Sequence, residues 1–197
     1  MQRRAFFEKF PALEGRRLLL FLGRLHDKKG CEMLVEAFAQ MLKTDAPPMH
    51  LVMAGPCADS QYLDKLCDLS ARLCPPDSVS FPGMLSGDIK WGAFHAAKAF
   101  VLPSHQENFG IAVVEALASG LPVLISNKIN IWREIEQDGA GLVESDDPQG
   151  TSRLLSRWTN LSQEKKLAMR AAARACFQER FEIHRTAQDL LAAIQAV

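Results

Sequence analysis

Short, uniformly apolar runs alternate along this chain with longer segments whose apolar residues fall at helical spacing. Leu18 to Leu22 and Leu51 to Ala54 are runs of the first kind, and they end at Gly23 and Gly55. Between them, Gly30 to Lys43 puts Leu34, Ala37, Phe38 and Met41 on one side, which predicts a helix. Tyr62 to Leu73 repeats the pattern with Leu63, Leu66, Leu69 and Leu73, and Pro75-Pro76 stops it. Val79 to Phe81, Phe100 to Leu102, Pro122 to Ser126 and Gly141 to Val143 predict further strands. Asp88 to Lys98, Ile111 to Ala118 and Ile131 to Gln137 predict helices, and everything from Asp147 onward is helical in pattern. Phe6 to Arg17, broken by Pro11 and Gly15, predicts a lead-in.

Strands that are apolar throughout, instead of alternating, fit a sheet covered on both faces, and a strand-then-helix order makes its strands parallel. The expectation is therefore an α/β fold. It is a Rossmann-like, doubly wound parallel sheet of about six strands, with helices on both faces and a helical C-terminus. Ligands of such sheets bind beyond the carboxyl ends of the strands. The segments Gly23-Arg24, Gly55-Pro56, Gly83-Met84 and Ser104 to Gly110 all follow expected strands and should share one rim.

A length of 197 residues suits one globular domain, large enough to bury roughly 70% of its unfolded surface. Lys plus Arg and Asp plus Glu number 23 each, so no overall field draws the chain to nucleic acid or to an acidic membrane. Cys31, Cys57, Cys67, Cys74 and Cys176 form no C-x-x-C pair and no zinc-ligand spacing. They read as small apolar fillers in a reducing compartment. The basic N-terminal residues lead into Glu8 and Lys9, not into a signal-peptide core, and no run approaches a membrane span. The expectation is a cytoplasmic protein. The histidines, His184 among them, are scattered without ligand spacing.

After the first strand, Arg24 and Lys29 lie in a Gly-flanked loop that opens a helix. Such a loop suits phosphate, through a planar guanidinium, a mobile ammonium and free backbone amides; it also suits a solvated basic turn. No P-loop and no G-x-G-x-x-G is present. After the fourth strand, Glu107-Asn108-Phe109-Gly110 enters the helix near Ile111, where the amides of Phe109, Gly110 and Ile111 can meet an anion or a sugar hydroxyl. Glu107 alone is a turn acid or a helix cap. Glu115 stands in a helix whose faces all look buried, and a carboxylate there needs a partner. Either an internal Arg or Lys or a hydroxyl-bearing ligand can supply it. Ser104, His105 and Glu107 do not make a hydrolase triad, because neighbours in one extended segment project in different directions.

Taken jointly, Gly23-Arg24-Leu25 with Lys29-Gly30, Gly55-Pro56, Phe81-Pro82-Gly83, Leu102-Pro103-Ser104 and Glu107-Asn108-Phe109-Gly110 running to Glu115 and Gly120-Leu121-Pro122-Val123 resemble family 4 of the retaining glycosyltransferases. The likeness covers nearly the whole chain and rests above all on the E-x7-E pair. It implies the donor-binding half of a two-domain GT-B enzyme, a single domain over 1–197 with 1–16 leading in from a missing N-terminal acceptor-binding domain.

The resemblance assigns Arg24 and Lys29 to the donor diphosphate, Glu115 to the ribose hydroxyls and Glu107, as the catalytic residue, to the transferred sugar. It places Asn108, Phe109, Gly110 and Ile111 against sugar and phosphate, and Gly83, Met84 and Leu85 near the base. The implied activity is transfer from a UDP-, GDP- or ADP-sugar in polysaccharide or glycolipid assembly, without metal or other cofactor. It involves no nucleic acid and allows peripheral membrane association of the full-length enzyme. Two other readings stay open at this point: a GT-B-like nucleotide-sugar epimerase or hydrolase, for which only His105 is placed, and a non-catalytic nucleotide-binding regulatory domain.

Overall fold

The computed structural model describes residues 1–44 and 47–182. The helical expectation past residue 182, and His184 with it, lies outside the described residues. Six strands among these described residues form one parallel sheet: β1 Leu18–Leu22, β2 His50–Ala54, β3 Val79–Gly83, β4 Ala97–Leu102, β5 Val123–Ser126 and β6 Gly141–Glu144. Their spatial order is β3-β2-β1-β4-β5-β6. The chain thus builds outward from β1 in one direction, crosses back, and builds outward from β4 in the other. The fold class expected from the apolar runs is the one observed.

Among the described residues eight α-helices cover the sheet: α1 Gln2–Lys9, α2 Cys31–Met41, α3 Ser60–Leu73, α4 Gly87–Ala96, α5 Ile111–Ala118, α6 Trp132–Gln137, α7 Pro148–Asn160 and α8 Gln163–Cys176. Helix α2 packs against α3 and α7, while α1 packs on α4 and α8 on α5 and α6. With right-handed crossovers this gives two helical layers, one on each face. Their starts are written in the sequence. The Asp59 side chain accepts from the amides of Gln61 and Tyr62, Asp147 from Gly150, and Ser162 from Lys165, each satisfying helix-end donors that would otherwise lack partners.

The core lies where β1 and β4 meet. Leu19, Phe21, Ala99, Phe100 and Val101 are all fully buried, and β1 pairs with β2 from Leu18 opposite His50 to Leu22 opposite Ala54.

Some details were not expected. The segment read as a lead-in is itself ordered as α1 and a 3-10 turn over Pro11–Leu13, with Phe6 and Leu13 buried. Gly92 of α4 permits this approach, since a Cβ there would sit 2.2 Å from the Gln2 carbonyl oxygen. A short helix with three arginine or lysine residues on its outer side hides its apolar stripe of Phe6, Phe7 and Phe10 from a pattern search. The helix expected to run to Lys98 ends at Ala96, because Ala97 already opens β4. Among the cysteines, Cys31, Cys74 and Cys176 are buried fillers as expected, whereas Cys67 on α3 is exposed.

Candidate functional site

The strand order reverses between β1 and β4, so a crevice opens there at the carboxyl edge of the sheet. Backbone hydrogen bonds lace the strand-end loops into one rim. Gly55 N donates to Gly83 O at 2.9 Å, Gly23 N to Ala54 O at 3.0 Å, and His105 N to Lys28 O at 2.9 Å. Ser104 is fully buried, with its Oγ 3.0 Å from both Lys28 O and Gln106 O. It ties two loops together and is not presented as a nucleophile. Gly30 turns the first loop into α2 in a left-handed conformation (φ 69), and a Cβ there would lie 2.3 Å from Pro103 O. Only glycine satisfies both the backbone angle and the close approach.

This lacing brings Lys29 to Glu107. Their side chains form an ion pair across the crevice, 14% and 25% exposed. Glu107 does not cap α5; its backbone makes an isolated parallel bridge with Ile129, donating to Lys128 O at 3.1 Å and accepting from Asn130 N at 3.2 Å. The carboxylate is thereby held on a fixed strut. Arg24, His26, Lys28, Lys29, Gln106 and Asn108 join Glu107 around a cleft of about 220 Å³. Arg24 and Lys28 are exposed and make no ion pair with any described residue, so both are cations at this rim available to a ligand, and Arg24 carries the planar guanidinium.

Gly110, left-handed at φ 75, is the N-cap of α5. The first bond of that helix runs from Val113 N to Gly110 O at 2.8 Å. The amides of Phe109, Gly110 and Ile111 precede it, at the positive end of the helix. Phe109 is half-exposed and meets Phe181 edge-on with centroids 6.0 Å apart, and Ile111 is exposed.

Glu115 differs from expectation. Helix α5 buries only Val113, Ala116 and Leu117, so its faces are not all covered. Glu115 is 21% exposed and pairs with Lys90 Nζ of α4 at 2.6 Å through Oε1. The pair answers the need for a partner without a ligand. A carboxylate nonetheless has acceptor sites on both oxygens, and one ammonium at Oε1 leaves Oε2 able to accept from hydroxyl groups. Lys90 is the residue the sequence reading missed. The signal available was a lone cation between Ile89 and Trp91, but the α4-to-α5 contact that gives it meaning is tertiary.

Of the segment expected near a base, Gly83 ends the edge strand at φ 72 and Met84 is 69% exposed, whereas Leu85 is buried. Only the first two present surface to the rim. His105 Nδ1 lies 3.1 Å from Asp146 Oδ2, so its ring is engaged by a carboxylate of the β6–α7 connection. No group of three or more His, Cys, Asp or Glu that could hold a metal ion occurs among the described residues, nor does any helix there have the length and apolarity to cross a membrane.

The family described as glycosyl transferases group 1 matches residues 2–175. A glycosyltransferase of Methanocaldococcus jannaschii that is itself uncharacterised is 34% identical over 72% of this chain and 36% of its own length. The D-inositol 3-phosphate glycosyltransferase of Acidothermus cellulolyticus is 29% identical over 88% of this chain and 40% of its own. The chain thus spans about two fifths or less of these curated relatives. Among solved structures, Anabaena HepE in complex with UDP and glucose superposes over 100% of this chain and 52% of its own, with a TM-score of 0.83 at 19% identity. The sucrose-phosphate synthase of Thermosynechococcus elongatus covers 96% and 49%, with a TM-score of 0.77 at 22% identity. These two likenesses concern the fold.

Proposed function

The chain belongs to the glycosyl transferases group 1 family, and from that premise we propose that it is the nucleotide-sugar-binding half of a retaining, cytoplasmic glycosyltransferase of family 4. The observation that carries this reading is the convergence of Arg24, the Lys29–Glu107 pair and the α5 entry at the β1/β4 switch point. Anabaena HepE, which shares the fold, has been solved with UDP-glucose, and that supports a nucleotide sugar as the ligand class.

On this reading the donor diphosphate lies between Arg24, Lys29 and the amides of Phe109 to Ile111. Lys29 leaves Glu107 for the phosphates, and Glu107, no longer paired, faces the transferred sugar. The ribose hydroxyls donate to the open oxygen of Glu115, and Gly83 and Met84 flank the base. As the bond from the anomeric carbon to the diphosphate lengthens, negative charge builds on the leaving oxygen. Arg24, Lys29 and the helix entry stabilise it because they are already oriented toward it, so no metal is required of this half. The acceptor oxygen attacks from the same face, and its proton goes to a base supplied by the acceptor-binding half. The activity is a hexosyl transfer in polysaccharide or glycolipid assembly.

A crystal structure of this chain with a nucleotide diphosphate tests the arrangement. The expected result is Arg24 and Lys29 on the phosphates with Glu115 on the ribose. A nucleotide seated away from the β1/β4 crevice would overturn it.

A further inference from the structure

The opposite edge of the sheet has its own cavity, of about 410 Å³, in the size range of small-molecule sites. Arg17, just before β1, and Lys98, at the start of β4, line it from the sheet; Arg3 of α1 and Lys166 and Arg170 of α8 line it from the helices. Among the described residues lining it there is no carboxylate. The Arg17 Nε is buried and has no hydrogen-bond partner among the described residues, although a buried guanidinium nitrogen left unpaired is costly. Lys166 sits 5.1 Å over the Trp158 ring and reaches only a backbone oxygen, that of Thr159 at 3.3 Å. Burial and the nearby Arg17 hold its ammonium below the usual lysine range, and burial does the same to Arg170. Like charges are thus gathered in one cavity with no described acid in its lining to neutralise them.

We propose that this amino-edge cavity binds a phosphomonoester, with Arg17, Lys166 and Arg170 holding the phosphate and Lys98 and Arg3 closing the rim. A dianion supplies the acceptors that Arg17 Nε lacks and cancels the repulsion among the three inner cations. Guanidinium groups suit phosphate because their donors match its oxygens in pairs. The indole of Trp158 and the aliphatic stems of the cations form an apolar wall for a small organic group carried by the phosphate. The site lies across the sheet from Arg24 and is separate from the proposed donor crevice.

The phosphate can belong to a soluble metabolite or to a lipid headgroup, and two probes separate these sources. Calorimetry with glycerol 3-phosphate tests the soluble one, and co-sedimentation with vesicles of phosphatidylcholine containing phosphatidic acid tests the lipid one. Binding of either probe should fall at least about tenfold in the Arg17→Gln/Arg170→Gln double variant, since charge-assisted bonds to phosphate are lost. Arg24→Ala should leave it unchanged. Lys98→Gln, at an exposed position that cannot unfold the chain, should weaken it by about threefold. Absence of binding by both probes, or loss in Arg24→Ala with none in the double variant, would overturn the proposal.

Discussion

The two edges of the sheet handle positive charge in opposite ways. At the carboxyl edge the half-buried lysines face carboxylates, Lys29 with Glu107 and Lys90 with Glu115, and Arg24 stands free in solvent. At the amino edge Arg17, Lys166 and Arg170 share a cavity with no carboxylate among the described residues of its lining. The backbone differs as well. Carboxyl-edge loops touch one another so closely that glycine is required at Gly30 and Gly55, whereas Gly15, just ahead of β1, has open space where a side chain would go. A rim with exchangeable ion pairs on a rigid backbone can trade an internal partner for a ligand at little rearrangement. Unpaired cations on the other edge can only gain from an anion.

Gly55→Ala should break the comparison most severely. Its Cβ would lie 1.8 Å from the Gly23 carbonyl oxygen, backbone against backbone. A loss of about 2–4 kcal/mol in urea denaturation is expected from overpacking and backbone strain, and a loss under about 0.5 kcal/mol would show that the rim is not rigid. Lys29→Met comes next. It strands Glu107 and removes a phosphate contact, so affinity for a nucleotide diphosphate should fall about tenfold or more, as expected for a lost charge-assisted bond. Gly15→Ala at the amino edge should cost only about 1 kcal/mol, the strain of φ 78 without a clash.

The smallest effect is on acid stability. His50, at the amino end of β2, contacts Asp77 O at 2.9 Å and Ser80 Oγ at 3.0 Å. Burial, then the Arg16 charge, lowers its pKa from 6.5. The unfolded chain takes up a proton before the folded one does, so stability is lost as pH falls from 6.5 toward the folded value and regained as pH rises. Arg16→Gln lifts the folded pKa, and its thermal midpoint should fall less than the parent's between about pH 7 and pH 5.

Strand identity, parallel order and the common rim were legible because each run is apolar throughout and punctuated by Gly or Pro. Local spacing puts Arg24, Lys29 and Glu107 after strands, but the family resemblance singles them out as site residues; the structure brings all three to one cleft. The Lys29–Glu107 and Lys90–Glu115 pairs were not legible, since each joins elements far apart in sequence. Helix α5 shows why composition misleads about burial: Ile111, Ala112, Val113 and Val114 suggest coverage on all sides, yet Ile111 is exposed and Glu115 lies at the margin. Absolute apolarity does not say which face meets another element. The amino-edge cavity escaped because its cations come from α1, the residue before β1, β4 and α8, which only the fold brings together.

Calorimetric titration of UDP into the parent, Arg24→Ala and Glu115→Ala tests the donor-site assignment most directly. Binding should weaken about tenfold or more in Arg24→Ala, through lost phosphate contacts, and about threefold to tenfold in Glu115→Ala, through lost ribose hydrogen bonds. Equal affinity in all three proteins would contradict the placement of the nucleotide at the β1/β4 crevice.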